Sequence, residues 1–192
     1  MKHKKAKEAA YLAGAIDLAP EFGVGWRKSL IPRLRALGIE GYDPTVVNKR
    51  IFRVRSVQKA EKILRELWEK DREKWLRVVI QMEKANIKSL LGSNFVITYW
   101  NPAQSTYGVP IENSLAALQG IPIYCVHYTP VEDLPKLLRR DVIQSLGEFF
   151  PNFDELLNFL KSRRKIIEQN SKNSHSKNSK KTLNHRKNSA KL

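Results

Sequence analysis

The sequence contains few of the residues from which disulfides and metal sites are built. It has one cysteine, Cys125, and four histidines in 192 residues. A single cysteine excludes a disulfide framework and a Cys-rich zinc site, and the scattered histidines lack the spacing of metal ligands. We therefore expect neither a metal nor another cofactor.

Long hydrophobic runs are also absent. No stretch approaches the ~20 apolar residues that span a bilayer, and the first residues lack the apolar core of a secretory signal. The length of 192 residues and the 42% of hydrophobic residues suit one folded domain. We expect a soluble, cytoplasmic protein with no membrane partner.

Acidic residues are scarce, with 19 Asp and Glu against 35 Lys and Arg, a formal net charge of +16. The excess lies at the two ends of the chain. Eleven Lys or Arg and one acid occupy the last 32 residues, and four lysines occupy the first seven. We predict a flexible basic arm over 1–8, a folded and nearly neutral domain over 9–166, and a disordered basic tail over 167–192.

The hydrophobic pattern alternates between strands and helices. The predicted strands lie within 9–16, 39–42, 95–100 and 121–127, and predicted helices cover 25–37, 56–91 and 111–118. Two or three short helices are predicted over 130–165, the last of them at 153–164. The pattern over 56–91 fits either one long helix or two helices broken near Asp71. Buried strands between helices predict an α/β fold, a doubly wound parallel sheet of about five strands.

In such a sheet, ligands bind beyond the carboxyl ends of the strands. This rule selects the segments 14–17, 43–45 and 101–112. The third segment is the most informative, because Ser105 and Thr106 bring hydroxyl groups close to the start of a helix. Free N–H groups and the dipole at a helix start favour an anion such as phosphate.

Glu112 is predicted in the first turn of that helix. A carboxylate there can simply complement the helix dipole. At a cleft beside a strand end it can instead act as a nucleophile toward an oxocarbenium-like sugar carbon. The residue pattern alone leaves both interpretations open.

Three segments, in this order along the chain, carry a family resemblance. They read YLAGAID at 11–17, WRKSLIPRLRALG at 26–38 followed by YDP at 42–44, and STYGVPIENSLAALQGIPIY at 105–124. Together they resemble the nucleoside 2-deoxyribosyltransferase superfamily. The resemblance implies a flavodoxin-like, Rossmann-like fold that cleaves or transfers at the N-glycosidic bond of a 2'-deoxynucleoside or its 5'-monophosphate.

The resemblance also assigns roles to residues. Glu112 matches the family's glutamate nucleophile, and Tyr11 matches a tyrosine that orients that carboxylate. Gly14, Ile16 and Asp17 match the loop that borders the sugar and base.

The position of Thr106 separates two branches of the family. Transferases carry an aspartate there for the free 5'-hydroxyl, whereas the 2'-deoxynucleoside 5'-phosphate N-hydrolases carry a serine for phosphate. Thr106, with Ser105 beside it and an N–H from Gly108, resembles the hydrolase branch.

The sequence departs from the family where an aspartate handles the leaving base. Asn86 and Asn94 stand at the two aspartate positions of that run, and Asn86 can hydrogen-bond a base but cannot transfer a proton. Asp17 stands where the monophosphate hydrolases tend to carry an arginine. A cation can come instead from the arginines at 50, 53 and 55.

Other features leave alternatives open. Trp100, at the end of a strand, can stack on a nucleobase, whereas the other tryptophans fit a core or an interface better. The basic segment 49–77 fits a solvated helix face better than a nucleic-acid surface. The family resemblance implies a homodimer or larger homo-oligomer. Rival hypotheses are a non-catalytic nucleotide-binding or sensing module, and a nucleic-acid-associated protein that acts through residues 167–192.

Overall fold

The computed structural model of the chain describes residues 8–16, 19–104, 108–166 and 169. The chain divides into two compact units at Leu156 and Leu157. The first unit contains the sheet, and residues 157–166 of the second unit are helical. Most of the predicted basic arm and tail falls outside the described residues. Within the described ranges, no helix combines the length and the apolar character needed to cross a membrane.

The first unit contains a sheet of five parallel strands in the order β2-β1-β3-β4-β5. The strands are β1 Glu8–Gly14, β2 Ile39–Tyr42, β3 Phe95–Trp100, β4 Ile123–His127 and β5 Glu148–Phe150. This order confirms the predicted doubly wound fold and is the flavodoxin-like arrangement. The direction of winding reverses between β1 and β3, so a crevice opens at the carboxyl ends of these two strands.

Helices cover both faces of the sheet. They are α1 Val24–Ala36, α2 Pro44–Ile51, α3 Val57–Lys70, α4 Arg72–Leu91, α5 Gly108–Leu118 and α6 Lys136–Gln144. Alternate residues of β1 point to opposite faces. Tyr11 and Ala13 join a core that includes residues of α4, α5 and α6. On the other face, Leu12 and Leu34 of α1 are buried, and a Cβ placed on Gly41 would lie 3.4 Å from the first side chain and 3.5 Å from the second.

Side-chain caps set several helix boundaries. Asp71 ends α3 and begins α4, because its carboxylate accepts a hydrogen bond from the N–H of Lys74 at 2.9 Å. Of the two patterns left open for 56–91, the structure therefore shows two helices. Asp43 caps α2 in the same way through the N–H of Thr45, also at 2.9 Å.

The sequence analysis missed two elements and misplaced one boundary. It treated Asp43-Pro44 only as the end of a strand, although a capping aspartate before proline also begins a helix, here α2. It missed β5, whose three residues are too few for a periodic pattern. Helix α5 begins at Gly108 rather than Ile111, so Glu112 lies in the second turn and not in the first.

Gly147 provides a test of the packing between β4 and β5. A Cβ atom at this position would lie 1.9 Å from the carbonyl oxygen of Ile123. We expect Gly147→Ala to reduce the free energy of unfolding by about 2–4 kcal/mol, since backbone rather than a flexible side chain must move. Urea denaturation measures the effect. Gly25→Ala is the matched control, because a Cβ there meets nothing closer than 3.6 Å; equal losses in both variants would contradict the expectation.

Candidate active site

A tyrosine and a glutamate from distant parts of the chain meet beside the reversal point of the sheet. Tyr11 lies in β1 and is 1% exposed. Its hydroxyl donates a hydrogen bond to Oε1 of Glu112, which the second turn of α5 brings to β1. Helix α5 is held in turn by Thr98 of β3, whose hydroxyl donates to the Asn113 side chain at 2.7 Å. The carboxylate of Glu112 is therefore fixed from two strands.

Burial dominates the electrostatics of this pair. Loss of solvation raises the pKa of Glu112 from an ordinary value of 4.5 to about 7, although the Tyr11 hydrogen bond and the charge of Arg27 act to lower it. Burial, followed by the charge of Glu112, raises the pKa of Tyr11. The tyrosine therefore stays protonated and keeps donating, while Glu112 changes charge close to neutral pH.

Arg27 is buried beneath this pair and is 0% exposed. Its guanidinium donates to the carbonyl oxygens of Leu12 at 3.2 Å, and of Gly14 and Gly23 at 2.9 Å. Its Nε lies 3.6 Å from the carboxylate of Asp43, at the end of β2. Burial lowers the pKa of Arg27, and the nearby charges of Asp43 and Glu112 oppose this shift.

The sequence analysis did not single out Arg27. Helix α1 also carries Lys28, Arg33 and Arg35, which are all exposed, so composition does not distinguish the buried arginine. Its spacing does, because Arg27 lies three residues before Leu30 and so falls on the buried stripe of the helix.

A cavity of about 430 Å³ opens between α4 and α5, over Tyr11. Its polar lining comes from Tyr11, Glu83, Asn86 and Glu112, and its apolar lining includes Met82, Leu90, Ile111 and Leu115. A second cavity of about 370 Å³ lies along β2 and α2. Tyr11 and Asn86 line both cavities and form the wall between them. The volume and the few polar groups are typical of a small-molecule site.

The structure brings four of the predicted site residues together, since Tyr11, Asn86, Gly108 and Glu112 all line the first cavity. The side-chain oxygen of Asn86 is buried and has no hydrogen-bond partner among the described residues.

Other predicted site residues lie elsewhere. Asn94 is at the amino end of β3, where its Oδ1 accepts from the N–H of Ala9 at 2.8 Å, far along the sheet from the carboxyl edge. Trp100 ends β3 and packs against the core between the sheet and α4 to α6. Gly14 ends β1 and lies against Trp26, whose ring a Cβ would approach to 2.8 Å.

Ile16 follows Gly14 and is partly buried. Asp17, Ser105 and Thr106 lie outside the described residues. Among the residues that the structure does describe, no three His, Cys, Asp or Glu side chains are grouped as metal ligands would be.

Arg27→Met tests how far this buried cation supports the fold. The substitution removes the donor to four carbonyl oxygens, those of Leu12, Gly14, Ala15 and Gly23, and the cation beside Asp43. We therefore expect a loss of about 3–5 kcal/mol in the free energy of unfolding, measured with urea. Arg33→Met is the control, because Arg33 forms an ion pair with Asp154 at the surface and its loss is worth about 1 kcal/mol or less. Similar small losses in both variants would refute the expectation.

Glu112→Gln tests the raised pKa through stability. Between pH 4.5 and about 7 the folded chain holds a proton on Glu112 that the unfolded chain has released. The stability contributed by that proton is complete below pH 4.5 and is lost as the pH rises through 7. We expect the free energy of unfolding of Glu112→Gln to exceed that of the wild type by about 1–3 kcal/mol at pH 8 and to equal it at pH 4.

Denaturation curves at both pH values measure this difference. Glu132→Gln, a change at an exposed glutamate, serves as the control and leaves stability unchanged at either pH. A destabilised Glu112→Gln at pH 8, or the same gain at both pH values, would show that burial does not govern this carboxyl group.

Comparisons with known proteins find solved structures with a similar fold. No protein-family model matches the chain, and no curated protein matches significantly. A solved 2-deoxyribosyltransferase from Bacillus psychrosaccharolyticus is 17% identical with a TM-score of 0.51, covering 78% of this chain and 90% of that one. A CMP N-glycosidase from Clostridium botulinum is 16% identical with a TM-score of 0.48, covering 80% and 98%. A conserved protein from Enterococcus faecalis is 16% identical with a TM-score of 0.49, covering 82% and 99%. The likeness to the deoxyribosyltransferase is one of fold, and this shared fold agrees with the α/β fold that the sequence predicted.

Proposed function

We propose that this protein cleaves or transfers at the N-glycosidic bond of 2'-deoxynucleosides or their 5'-monophosphates, with Glu112 as the nucleophile and hydrolysis favoured over transfer. The observation that carries the proposal is the Glu112 carboxyl group, hydrogen-bonded to Tyr11 at the wall of a 430 Å³ cavity. The fold shared with a solved 2-deoxyribosyltransferase supports it.

The geometry suits a carboxylate nucleophile. Tyr11 holds Oε1 of Glu112, which leaves Oε2 to attack the anomeric carbon of a sugar in the cavity. The positive charge of Arg27 opposes protonation of Glu112 and so favours the reactive form. After attack, the sugar is an ester of Glu112, and water then releases it. The Tyr11 hydroxyl stabilises the carboxylate as it leaves.

The family resemblance assigns residues to the two ends of the substrate, the base and the 5' end. Asn86 lines the same cavity and supplies an amide for hydrogen bonds to the base. Gly108 lies at the start of α5, where main-chain N–H groups favour the 5'-oxygen or phosphate. Ser105 and Thr106 would complete that end of the site.

A homodimer or larger assembly is part of the proposal. Helix α4 exposes Leu76, Ile80, Ile87 and Leu91, whose spacing places them along one side of the helix. An exposed apolar stripe of this kind favours contact with another protein surface.

Release of free base tests the proposed function. Deoxynucleosides and their monophosphates are incubated with the wild type and with Glu112→Ala, and the free bases are quantified by chromatography. We expect Glu112→Ala to lower the rate by about 1,000-fold or more, since no nucleophile remains.

Glu132→Ala removes a carboxylate outside the site and is the matched control. Equal rates in the wild type and Glu112→Ala, or no release by either from any base, would refute the proposal. In the second case, tight nucleotide binding in calorimetry would favour the rival function, a non-catalytic nucleotide-binding module. The amide of Asn86, which transfers no proton, is the observation that favours this rival.

A further inference from the structure

Two carboxylates line the cavity over Tyr11. Glu112 comes from α5, and Glu83 comes from the facing helix α4. Asn86 lies three residues after Glu83, so both side chains project from the same side of α4 toward the cavity. The carboxylate that the family places at position 86 is missing, but another lies one helical turn away.

The topology shows in which direction Glu83 is offset from Asn86 along α4. Helix α4 ends at Leu91, just before the amino end of β3, so its earlier residues lie progressively closer to the carboxyl edge of the sheet. At a helical rise of 1.5 Å per residue, Glu83 lies about 4.5 Å closer to that edge than Asn86. Helix α5 begins at Gly108 on the same edge. Glu83 is therefore on the side where a ligand enters.

The proposed reaction needs a proton donor that Asn86 cannot supply. When Glu112 attacks the sugar, most bases leave as anions and require a proton. Among the described residues that line the cavity, three have side chains that titrate: Tyr11, Glu83 and Glu112. Glu112 is the nucleophile, and Tyr11 commits its proton to Glu112 with a raised pKa. This leaves Glu83.

Glu83 is also unpaired within the described part of the chain, where it has no ion pair or hydrogen bond. Two acids on these helices pair with a basic residue one turn away, Glu66 with Lys62 and Glu73 with Arg77. The positions four residues either side of Glu83 are Val79 and Ile87, which are apolar. A surface carboxylate beside a cavity with no cation at helical spacing is free to serve a ligand.

We infer that Glu83 is the acid and base catalyst of this site, in place of the absent aspartate; the inference rests on the proposed function. In the first step, Oε2 of Glu112 bonds to the anomeric carbon, the bond from that carbon to the base breaks, and protonated Glu83 gives its proton to the base. In the second step, ionised Glu83 takes a proton from water while the water oxygen bonds to the anomeric carbon. The ester bond breaks and Glu112 is again a carboxylate.

Glu83→Gln tests this role with two substrates that differ in the leaving group. Ordinary 2'-deoxyguanosine 5'-monophosphate needs a proton on the departing base, whereas the base of its 7-methyl derivative is already cationic in the substrate and leaves as a neutral molecule. Single-turnover release of base measures the first step alone. We expect Glu83→Gln to slow this step about 100-fold or more for the ordinary substrate and less than about 5-fold for the methylated one. Intact-protein mass spectrometry should then detect the sugar ester on Glu112, since its hydrolysis is slowed too.

Glu73→Gln is the matched control, a change of the same charge on the same helix away from the cavity, and it should leave both rates unchanged. Thermal unfolding of Glu83→Gln should match the wild type, because the side chain is exposed. An equal loss on both substrates, or no loss on either, overturns the role of Glu83 while the effect of Glu112→Ala upholds the proposed function. No base release by the wild type from these two substrates or from any other deoxynucleoside or monophosphate overturns both.

Discussion

The buried guanidinium of Arg27 is the constraint on which the site depends. It joins three elements: α1, which carries it, the carboxyl end of β1, whose carbonyl oxygens it binds, and Asp43 at the end of β2. A charge in the interior is tolerated only when its donors are satisfied and a counter-charge is near. The same hydrogen bonds and ion pair that satisfy Arg27 fix the ends of β1 and β2 near Tyr11 and Glu112. The fold and the candidate site therefore depend on the same residue.

Opposing effects near Arg27 set the pKa of Glu112. Burial favours the neutral form of Glu112, whereas Arg27 and the Tyr11 hydrogen bond favour the ionised form. The result is a pKa of about 7, well above that of a carboxylate in water but low enough for the ionised form to be abundant in neutral solution. Such a site is less stable than an apolar one of the same shape, which is common where reactive groups are held ready.

The sequence predicted the sheet because it depends on strong local patterns, and it grouped Tyr11 with Glu112 through the family resemblance. Strands such as 95–100 are continuous apolar runs, and the ends of neighbouring parallel strands must meet at one edge. Arg27 was missed because arginine is typical of surfaces, and Glu83 because it resembles the other charges of α4. Asn94 was grouped with the site by resemblance alone, whereas the register places it at the amino end of β3. Long-range geometry decides these three positions, and no local pattern encodes it.

The wall between the two cavities has a consequence for what each can hold. Tyr11 and Asn86 are the residues that line both cavities. The tyrosine ring therefore limits the size of the cavities, besides holding the hydroxyl that donates to Glu112. A small residue in its place would enlarge the space beside Glu112, so bulkier molecules could fit there, in addition to the loss of the hydrogen bond that the hydroxyl donates.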